Sequence, residues 1–263
     1  MNDSGLSVII PTLGKRPSLR TLLESLAYQT PRPDEIVIVD GGNDPEVAQL
    51  ARRFDCIYLH DVGKGDRRSH ARNAGVTASS GQFLLFLDDD METTSDLIRE
   101  CRDIFSQGGQ AITIPEVTLG HGLTGRVRAW ERAQVLRRRY LCFPRGIVRR
   151  LFISCGGFDE TLPGFEDLDI TATLMEHNVE VLNLKAVILH HEESNTLSAL
   201  LRRRLYYLRG AKTYRAKHPT LALEVFSPVA RLKLYLEGIH SVADIPLFVS
   251  SVLLRAFEYF GTR

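Results

Sequence analysis

Three adjacent aspartates, Asp88 to Asp90, follow five apolar residues in the segment FLLFLDDDME, residues 83–92. The apolar run predicts a buried strand of a parallel sheet, which places the carboxylates where the strand ends. Neighbouring carboxylates repel one another and lose solvation when a sheet edge holds them. The spacing of Asp88 and Asp90 suits a divalent cation, because Mg²⁺ and Mn²⁺ take carboxylate oxygens together with substrate phosphates. A solvated acidic turn is the alternative interpretation.

A second acidic group lies in FEDLD, residues 165–169, where a loop opens a predicted helix. Either Asp167 or Glu166 has the chemistry of a general base that deprotonates a hydroxyl nucleophile. Helical spacing puts Asp167 and Asp169 on different faces, so that one serves a site and the other the helix N-terminus. Acids in the first turn of a helix are also common for structural reasons alone.

Polar groups lie at the ends of three other predicted elements. Asp40 ends a strand in VIVDGGND, where glycines allow a ligand to approach the backbone, although a turn acid or helix cap fits the same pattern. Arg72 and Asn73, in SHARNAG, start a predicted helix and suit a diphosphate, with a solvated arginine as the alternative. His190 and His191 follow an apolar strand, where a histidine could complete a metal shell, contact phosphate or lie on the surface.

The elements that must position these residues alternate between strand and helix through the first half of the chain. Apolar runs and helical apolar spacing predict strands at 6–11, 35–40, 56–61 and 82–90, and helices at 18–29, 45–54, 69–79 and 94–106. This alternation is typical of a parallel sheet with helices on both faces. Ligands of such sheets bind beyond the carboxyl ends of the strands, where Asp40, Asp61 and Asp88 are expected to meet.

The second half of the chain is less regular and ends in a basic helical region. Its predicted elements are a strand at 111–117, an arginine-rich helix at 127–141, a helix within 164–178 and a strand pair within 179–191. From Asn195 onward we expect a basic amphipathic helix and then two further helical pieces. The expected organisation is one α/β domain over residues 1–195 and a helical extension over 196–263.

Charge is distributed unevenly along a chain whose formal net charge is only +1. Residues 126–150 hold nine arginines and one acid, and residues 196–263 hold eleven Lys and Arg against four Asp and Glu. No nucleic-acid module accompanies this charge, so we expect no nucleic-acid partner. Basic, aromatic helices within 197–217 and 245–260 can lie on an anionic membrane surface, or pack on the domain or on a second subunit of a homodimer.

Cysteine usage and the apolar segments indicate the compartment. Four cysteines without a CxxC pair predict reduced structural thiols. The first residues lack the basic and apolar regions of a signal peptide, and the apolar segment at 245–254 is too short to span a bilayer. We therefore expect a cytoplasmic protein, peripheral at the cytoplasmic membrane face if its C-terminal helices bind lipid.

Taken in order, these motifs resemble those of glycosyltransferase family 2, whose members use nucleotide sugars and have the A-type fold. The resemblance covers about residues 6–192, through SVIIPT (7–12), IVDGGND (38–44), ARNAG (71–75), FLDDD (86–90), GGFDE (156–160) and FEDLD (165–169). It implies a single Rossmann-like α/β domain with a mostly parallel central sheet and a helical, basic C-terminal extension. The nucleotide-sugar half would cover about residues 1–115, and the acceptor half about 116–195.

The resemblance also implies a reaction and a set of residue roles. The reaction is a metal-dependent, inverting transfer of a hexosyl group from a UDP- or GDP-linked sugar to a hydroxyl or phosphate of a glycan or lipid-linked acceptor, with Mg²⁺ or Mn²⁺ as cofactor. Asp167 would act as base, beside Glu166. The other implied residues are Pro11, Thr12, Asp40, Gly41, Arg72, Asn73, Asp88 and Asp89 for the nucleotide sugar, Asp88, Asp90, His190 and His191 for the metal, and Gly156, Gly157, Phe158 and Asp159 on the acceptor side.

The chain departs from the family pattern at two positions, and two other functions compete with this interpretation. Residues 40–43 keep one acid where the family often has two, and Phe165 replaces the usual glycine before Glu166. A sugar-phosphate nucleotidyltransferase would need a glycine-rich phosphate loop where this chain has PTLGKRPSL, residues 11–19. A catalytically silent relative, serving as a sugar-nucleotide-binding or scaffold subunit, is the other alternative, against which the intact Asp88, Asp90 and Asp167 argue.

Overall fold

A seven-stranded sheet forms the centre of the protein in the computed structural model, which describes residues 5–14, 17–61, 67–120, 122–191, 205–206 and 209–260. The strands are β1 (Leu6–Thr12), β2 (Glu35–Asp40), β3 (Ile57–His60), β4 (Phe83–Phe86), β5 (Met91–Thr93), β6 (Ala111–Thr113), β7 (Glu116–Leu119), β8 (Gly146–Val148), β9 (Val181–Asn183) and β10 (Ile188–His191). The order of the large sheet is β3-β2-β1-β4-β8-β6-β9. Strand β8 is antiparallel to both of its neighbours, and the other four pairs are parallel.

Helices cover both faces of this sheet. They are α1 (Pro17–Ala27), α2 (Pro45–Arg53), α3 (Arg67–Ala78), α4 (Leu97–Ser106), α5 (Gly122–Val135), α6 (Arg149–Ser154) and α7 (Glu166–Glu176). All seven residues of β1 are buried, with Val8 and Ile10 in the core formed with α1, α2 and α4. Ile9 joins the opposite core, which includes Phe152 of α6 and Ile170 of α7. The continuous apolar runs of the sequence therefore reflect strands that are buried on both sides.

Three short strands form a second sheet next to the three aspartates. Strand β10 lies between β5, to which it is antiparallel, and β7, to which it is parallel. The register sets His190 opposite Met91 on one side and Thr118 on the other. Because Met91 directly follows Asp90, this pairing brings a late histidine beside the acidic turn.

The C-terminal extension, as far as the structure describes it, is a set of helices that pack on α5 and on the segment directly before α7. They are α8 (Ala211–Lys217), α9 (Pro219–Val225), α10 (Pro228–Leu236) and α11 (Ile245–Phe260). Tyr214 and its neighbours pack against Phe165, directly before α7, and Leu234 and Leu247 pack on Trp130 of α5. Across the part of the chain that the structure describes, no helix is both long enough and apolar enough to cross a bilayer.

Several predicted elements differ in extent from the observed ones. The strand predicted at 82–90 ends at Phe86, because the aspartates form a turn that leads into β5. The strand predicted at 111–117 breaks at Pro115, so that β6 and β7 belong to different sheets, as do the paired strands β9 and β10. Three helices follow α8 where two were expected, and most of the helix predicted from Asn195 lies outside the described residues. The boundary at residue 195 stays a prediction.

Helix α3 packs so closely on the sheet that a side chain at Gly75 would collide with it. A Cβ atom there would lie 2.5 Å from Cγ2 of Ile9 and 3.2 Å from Cγ2 of Val39. We expect Gly75→Ala to lower the free energy of unfolding by about 1–3 kcal/mol, measured by urea denaturation, because it overpacks this contact. At an exposed helix position the same change would instead stabilise by about 1 kcal/mol.

Thr77→Ala is the matched control for this prediction, because Thr77 lies on the exposed side of the same helix. Its urea midpoint should stay close to that of the wild type, as surface substitutions usually do. A Gly75→Ala protein more stable than the wild type would contradict the close approach of α3 to the sheet.

Candidate active site

Each of the three aspartates after β4 has a different set of partners. Thr12, at the end of β1, donates its hydroxyl to Oδ2 of Asp89 at 2.7 Å, which ties the acidic turn to the neighbouring strand. Asp88 contacts two buried arginines, and Asp90 contacts His190. The turn therefore directs its carboxylates to separate sides instead of clustering them, which reduces their mutual repulsion.

Arg72 connects the acidic turn to the second acidic group at the start of α7. Its guanidinium donates to Oδ1 of Asp88 at 2.7 Å, to Oδ1 of Asp167 at 3.2 Å and to Oε1 of Glu166 at 3.3 Å. The side chain is only 1% exposed, and the rings of Phe143 and Phe158 lie 5.2 and 5.3 Å from its guanidinium carbon. A buried cation of this kind requires anionic partners, since desolvation of an unpaired charge is costly.

The structure therefore corrects the position predicted for Arg72, and its predicted role in nucleotide-sugar binding stays a prediction. The sequence placed it at an exposed helix start that could bind a diphosphate, but α3 begins at Arg67 and the Arg72 guanidinium is buried among carboxylates. Asn73 likewise lies within the helix. Its side-chain amide donates to the carbonyl of Phe158 and accepts from the amide of the same residue, at 2.9 and 3.0 Å. Both residues hold the walls of the site together.

A second buried arginine, which the sequence analysis did not single out, supports Asp88 from the other side. Arg145, directly before β8, donates to Oδ2 of Asp88 at 3.3 Å, to Oε1 of Glu116 at 2.6 Å and to the carbonyl of Phe86 at 3.2 Å. Burial alone would raise the pKa of Asp88, but Arg72 and Arg145 outweigh it and hold that pKa well below its usual range. Asp88 is therefore a carboxylate anion.

His190, and not His191, lies at the acidic turn. Its Nε2 atom is 3.1 Å from Oδ2 of Asp90, close enough for an ion pair but not aligned as a hydrogen bond. On the opposite side of the ring, Nδ1 faces Glu116 at 3.5 Å and also contacts Arg132. The His190 side chain is 5% exposed, whereas His191 is 33% exposed and pairs with Glu92 at 2.9 Å.

The pair formed by Asp90 and His190 fits a divalent cation that takes its other ligands from a substrate. Oδ1 of Asp90 and Nε2 of His190 are buried atoms without a hydrogen-bond partner among the described residues. Glu116, on the Nδ1 side of His190, is the kind of carboxylate that commonly supports a metal-bound histidine. No cluster of three or more His, Cys, Asp or Glu side chains within the described ranges is arranged to hold a metal by itself. Mg²⁺ with one or two carboxylates and substrate phosphates matches this arrangement.

The two acids that begin α7 differ in exposure and hence in the chemistry open to them. The Asp167 side chain is 41% exposed, whereas that of Glu166 is 1% exposed and lies 3.5 Å from Arg68 as well as near Arg72. A general base must come within hydrogen-bond distance of the substrate hydroxyl, so a substrate must be able to reach its carboxylate. Geometry therefore favours Asp167 as the base and gives Glu166 the role of an anion that holds Arg72.

Asp169 lies on a different face of α7, as the spacing predicts, but its partner is not the helix N-terminus. It is 3% exposed and accepts from His218 at 2.8 Å, while Lys217 lies 2.8 Å from the same oxygen. His218 also contacts Glu176 at the other end of α7, at 2.9 Å. These contacts fasten the C-terminal extension to the helix that presents Asp167.

The residues predicted to bind the nucleotide surround the end of β1 and β2. Pro11 and Thr12 are buried at the end of β1, and the amide of Gly41 donates to the Thr12 carbonyl at 2.9 Å. Asp40 is fully buried, and its carboxylate accepts from the amides of Gly42 and Asp44 at 2.8 and 2.7 Å. The alternative interpretation of Asp40 as a turn acid therefore holds in the structure, and a direct contact with a nucleobase stays a prediction.

The predicted acceptor-side residues form a loop beside Arg72. Gly156 and Gly157 both have positive φ angles, +85° and +73°, which favour glycine, and a Cβ atom at Gly157 would lie 3.0 Å from Oδ1 of Asn73. Phe158 is buried against the guanidinium of Arg72, and Asp159 pairs with Lys217 at 2.9 Å. The loop is thus fixed between α3 and the C-terminal extension.

The site residues missed by sequence reasoning are the charged groups that support the acidic turn: Arg68, Glu116, Arg132 and Arg145. One signal for them was present, since residues 126–150 carry nine arginines against one acid. Two of these arginines, Arg132 and Arg145, turn inward to meet Glu116, and Arg145 also meets Asp88. Composition alone could not say which of the nine would do so.

Comparisons with known proteins all point to glycosyltransferases. The family model described as Glycosyl transferase family 2 matches residues 7–157, more than half of the chain. An uncharacterized glycosyltransferase of Haemophilus influenzae is 26% identical over 184 residues, 65% of this chain and 62% of that protein. The PGL/p-HBAD biosynthesis glycosyltransferase of Mycobacterium bovis is 30% identical over 164 residues, 58% of this chain and 62% of that protein. The chain thus spans about three fifths of the length of these two relatives.

A solved structure shares the fold. The crystal structure of S. aureus TarS 1-349 in complex with UDP-GlcNAc has a TM-score of 0.57 and 17% sequence identity, covering 89% of this chain and 79% of that one. At this identity the likeness shows the fold alone. It confirms the α/β architecture, with a mostly parallel sheet and C-terminal helices, that the motifs led us to expect.

Loss of Arg145 should be costly, because Asp88 and Glu116 would both keep their burial and lose a cation. We expect Arg145→Met to lower the free energy of unfolding by about 3–5 kcal/mol, measured by urea denaturation. Arg126→Met, on the exposed side of α5, is the control and should change it by less than about 0.5 kcal/mol. Equal urea midpoints for the two variants would contradict a supporting role of Arg145.

Proposed function

Because the chain belongs to glycosyltransferase family 2, we propose that it transfers a sugar from a nucleoside-diphosphate sugar to an acceptor hydroxyl, in one metal-dependent step that inverts the anomeric configuration. The observation that carries this proposal is the buried Arg72, which holds the exposed carboxylate of Asp167 beside the acidic turn. The proposed base and the proposed cation-binding turn are thereby held next to each other by one guanidinium. In an inverting transfer that uses a cation, the two act on opposite sides of the anomeric carbon.

The donor would bind with its diphosphate at the acidic turn. Asp90 and His190, with Asp88 nearby, are the residues that would hold Mg²⁺ or Mn²⁺ there, and members of the family are typically metal-dependent. When bound, such a cation offsets the negative charge that develops on the leaving diphosphate. Asp88 is kept ionised by Arg72 and Arg145, so it can accept hydrogen bonds from a ribose hydroxyl without itself carrying a proton.

Asp167 would accept the proton of the acceptor hydroxyl. As the oxygen–hydrogen bond breaks, the acceptor oxygen forms a bond to the anomeric carbon, and the bond from that carbon to the diphosphate oxygen breaks on the opposite side. The diphosphate leaves with the electron pair, and the proton stays on the Asp167 carboxyl. The Arg72 guanidinium donates to Asp167 Oδ1 at 3.2 Å and so fixes the orientation of this carboxylate. Asp88 and Glu166 hold the guanidinium itself in place.

The chemical class of the donor and acceptor is proposed from the comparisons. TarS has been solved with UDP-GlcNAc and with UDP, which supports a uridine diphosphate hexose as donor, with a guanosine diphosphate sugar as the alternative. A glycan or a lipid-linked molecule is proposed as the acceptor. It would enter on the side of Gly157 and Phe158, where the loop is fixed beside Arg72.

Two substitutions separate donor binding from transfer. Asp90→Asn should remove the cation-dependent part of donor affinity, because it deletes a charged ligand. Asp167→Asn should leave donor binding unchanged and lower the transfer rate about 10²–10⁴-fold, because an amide cannot accept the proton. Calorimetry of nucleotide-sugar binding with and without Mn²⁺, and a transfer assay on the same samples, measure the two effects.

Asp103→Asn, an exposed acid of α4, is the control and should behave as the wild type in both assays. Equal donor affinity in wild type and Asp90→Asn would remove the cation from the proposal. Donor binding without turnover in the wild type would instead favour the catalytically silent relative.

A further inference from the structure

A buried acid, Asp169, lies two positions after the proposed base on another face of the same helix. The step from Asp167 to Asp169 on α7 corresponds to a rotation of about 200° around the helix axis. Asp167 meets Arg72 and is 41% exposed, whereas Asp169 is buried against the C-terminal extension. The rotation of α7, and with it the direction of the Asp167 carboxylate, therefore depends on what holds Asp169 on the far side of the helix.

Lys217, the last residue of α8, and the following His218 hold Asp169. The Lys217 ammonium lies 2.8 Å from Oδ1 and 3.0 Å from Oδ2 of this carboxylate, and Nε2 of His218 lies 2.8 Å from Oδ1. A buried carboxylate requires partners of this kind, because the loss of its hydration is otherwise costly. The first turn of α7 is therefore anchored on two sides, by Arg72 and by the extension.

The Lys217 ammonium also reaches the loop at 156–161, which holds the residues proposed to face the acceptor. It donates to Oδ2 of Asp159 at 2.9 Å, while Oδ1 of that carboxylate accepts from the amide and the hydroxyl of Thr161 at 2.9 and 2.6 Å. Burial alone would lower the pKa of Lys217, but hydrogen bonds to Asp169 and Asp159 outweigh it and raise that pKa. One ammonium ion thus bridges the loop and the helix that presents Asp167.

Different residues attach the same loop to α3. Asn73 bonds the amide and the carbonyl of Phe158, and it also donates to Oε1 of Glu160 at 2.9 Å. Nδ1 of His70 lies 2.9 Å from the other carboxylate oxygen of Glu160. These contacts join the loop to α3, whereas Lys217 joins it to α7.

The spacing between the loop and Asp167 bears on transfer, because the acceptor is proposed to enter beside this loop. A general base must lie about 2.6–3.2 Å from the oxygen whose proton it removes. A misplacement of about 1 Å, caused by a change far from the reacting atoms, can slow a reaction about 10²-fold. A cation that fixes the loop against α7 therefore contributes to the transfer rate through position.

We propose that Lys217 is a positioning residue of the transfer reaction. Through Asp159 and Asp169 it holds the loop at 156–161 and the first turn of α7 at a fixed spacing. Its contribution lies in the placement of Asp167 relative to the acceptor and not in donor binding, so the inference rests on the proposed function. Lys217 belongs to the C-terminal extension and lies outside residues 7–157, which the family model matches.

The first test needs no substrate and compares Lys217→Met, which removes the cation, with Lys217→Arg, which keeps it. Amide exchange followed by NMR should be about three- to tenfold faster at Thr161 and Asp169 in Lys217→Met than in the wild type, because both carboxylates lose their shared cation. Lys217→Arg should restore most of the protection. An equal acceleration at the amides of β1 would assign Lys217 to overall stability and would overturn the proposal.

The second test measures how the donor is divided between an acceptor and water. With UDP-GlcNAc and Mn²⁺, and with octyl β-glucoside or octyl β-galactoside as acceptor, Lys217→Met should lower the ratio of transfer to donor hydrolysis about tenfold. The KM for UDP-GlcNAc should stay unchanged. Asp159→Asn keeps an oxygen for Thr161 and should cause a similar loss. The double variant should lose no more than the weaker single variant, since both residues serve one bridge.

Lys212→Met, at an exposed lysine of the same helix, is the matched control and should behave as the wild type in both tests. An unchanged ratio in Lys217→Met, or additive losses in the double variant, would overturn the proposal. A wild type that releases no UDP would instead contradict the proposed function with this donor. The amide exchange would in that case still decide whether Lys217 holds the loop to α7.

Discussion

One buried guanidinium, that of Arg72, makes the two halves of the site depend on each other. It is 1% exposed and contacts Asp88 in the turn after β4, and both acids at the start of α7. A buried arginine without such partners would be strongly destabilising, and so would these carboxylates without the arginine. The same ion pairs that stabilise the domain therefore fix the distance between the proposed cation-binding turn and the proposed general base.

The acids of the site divide into buried ones that support the structure and an exposed one that is proposed to react. Glu116, Glu166 and Asp169 are buried and ion-paired, and they hold Arg145, Arg72 and the C-terminal extension. Asp167 is the exposed member at the start of α7, where a substrate can reach it. Lys217 and His218 of the C-terminal extension contact Asp169, so the extension directly holds the helix that presents Asp167.

The sequence was sufficient for the sheet, because buried parallel strands and their polar ends follow from apolar patterning. A shared site for Asp88 and Asp167 was implied only by the family resemblance. The sequence pattern placed Arg72 and Asn73 at an exposed helix start, whereas both lie within α3 and Arg72 is buried. It also missed Arg145 and Glu116. The partner of a buried charge depends on which distant elements pack together, and no local spacing encodes that choice. Which of His190 and His191 lies at the acidic turn is decided by the register of β10, which the sequence pattern does not give.

The most direct test of the central claim, that the acidic turn is a nucleotide-sugar site completed by a cation, is a thermal-shift panel. UDP-, GDP- and dTDP-sugars would each be added with Mg²⁺, with Mn²⁺ or with a chelator. We expect one nucleotide to raise the melting temperature only when a cation is present, since a ligand at 100 times its Kd adds about 2.7 kcal/mol to the stability of the fold. A shift that the chelator leaves unchanged, or no shift with any donor, would contradict the claim.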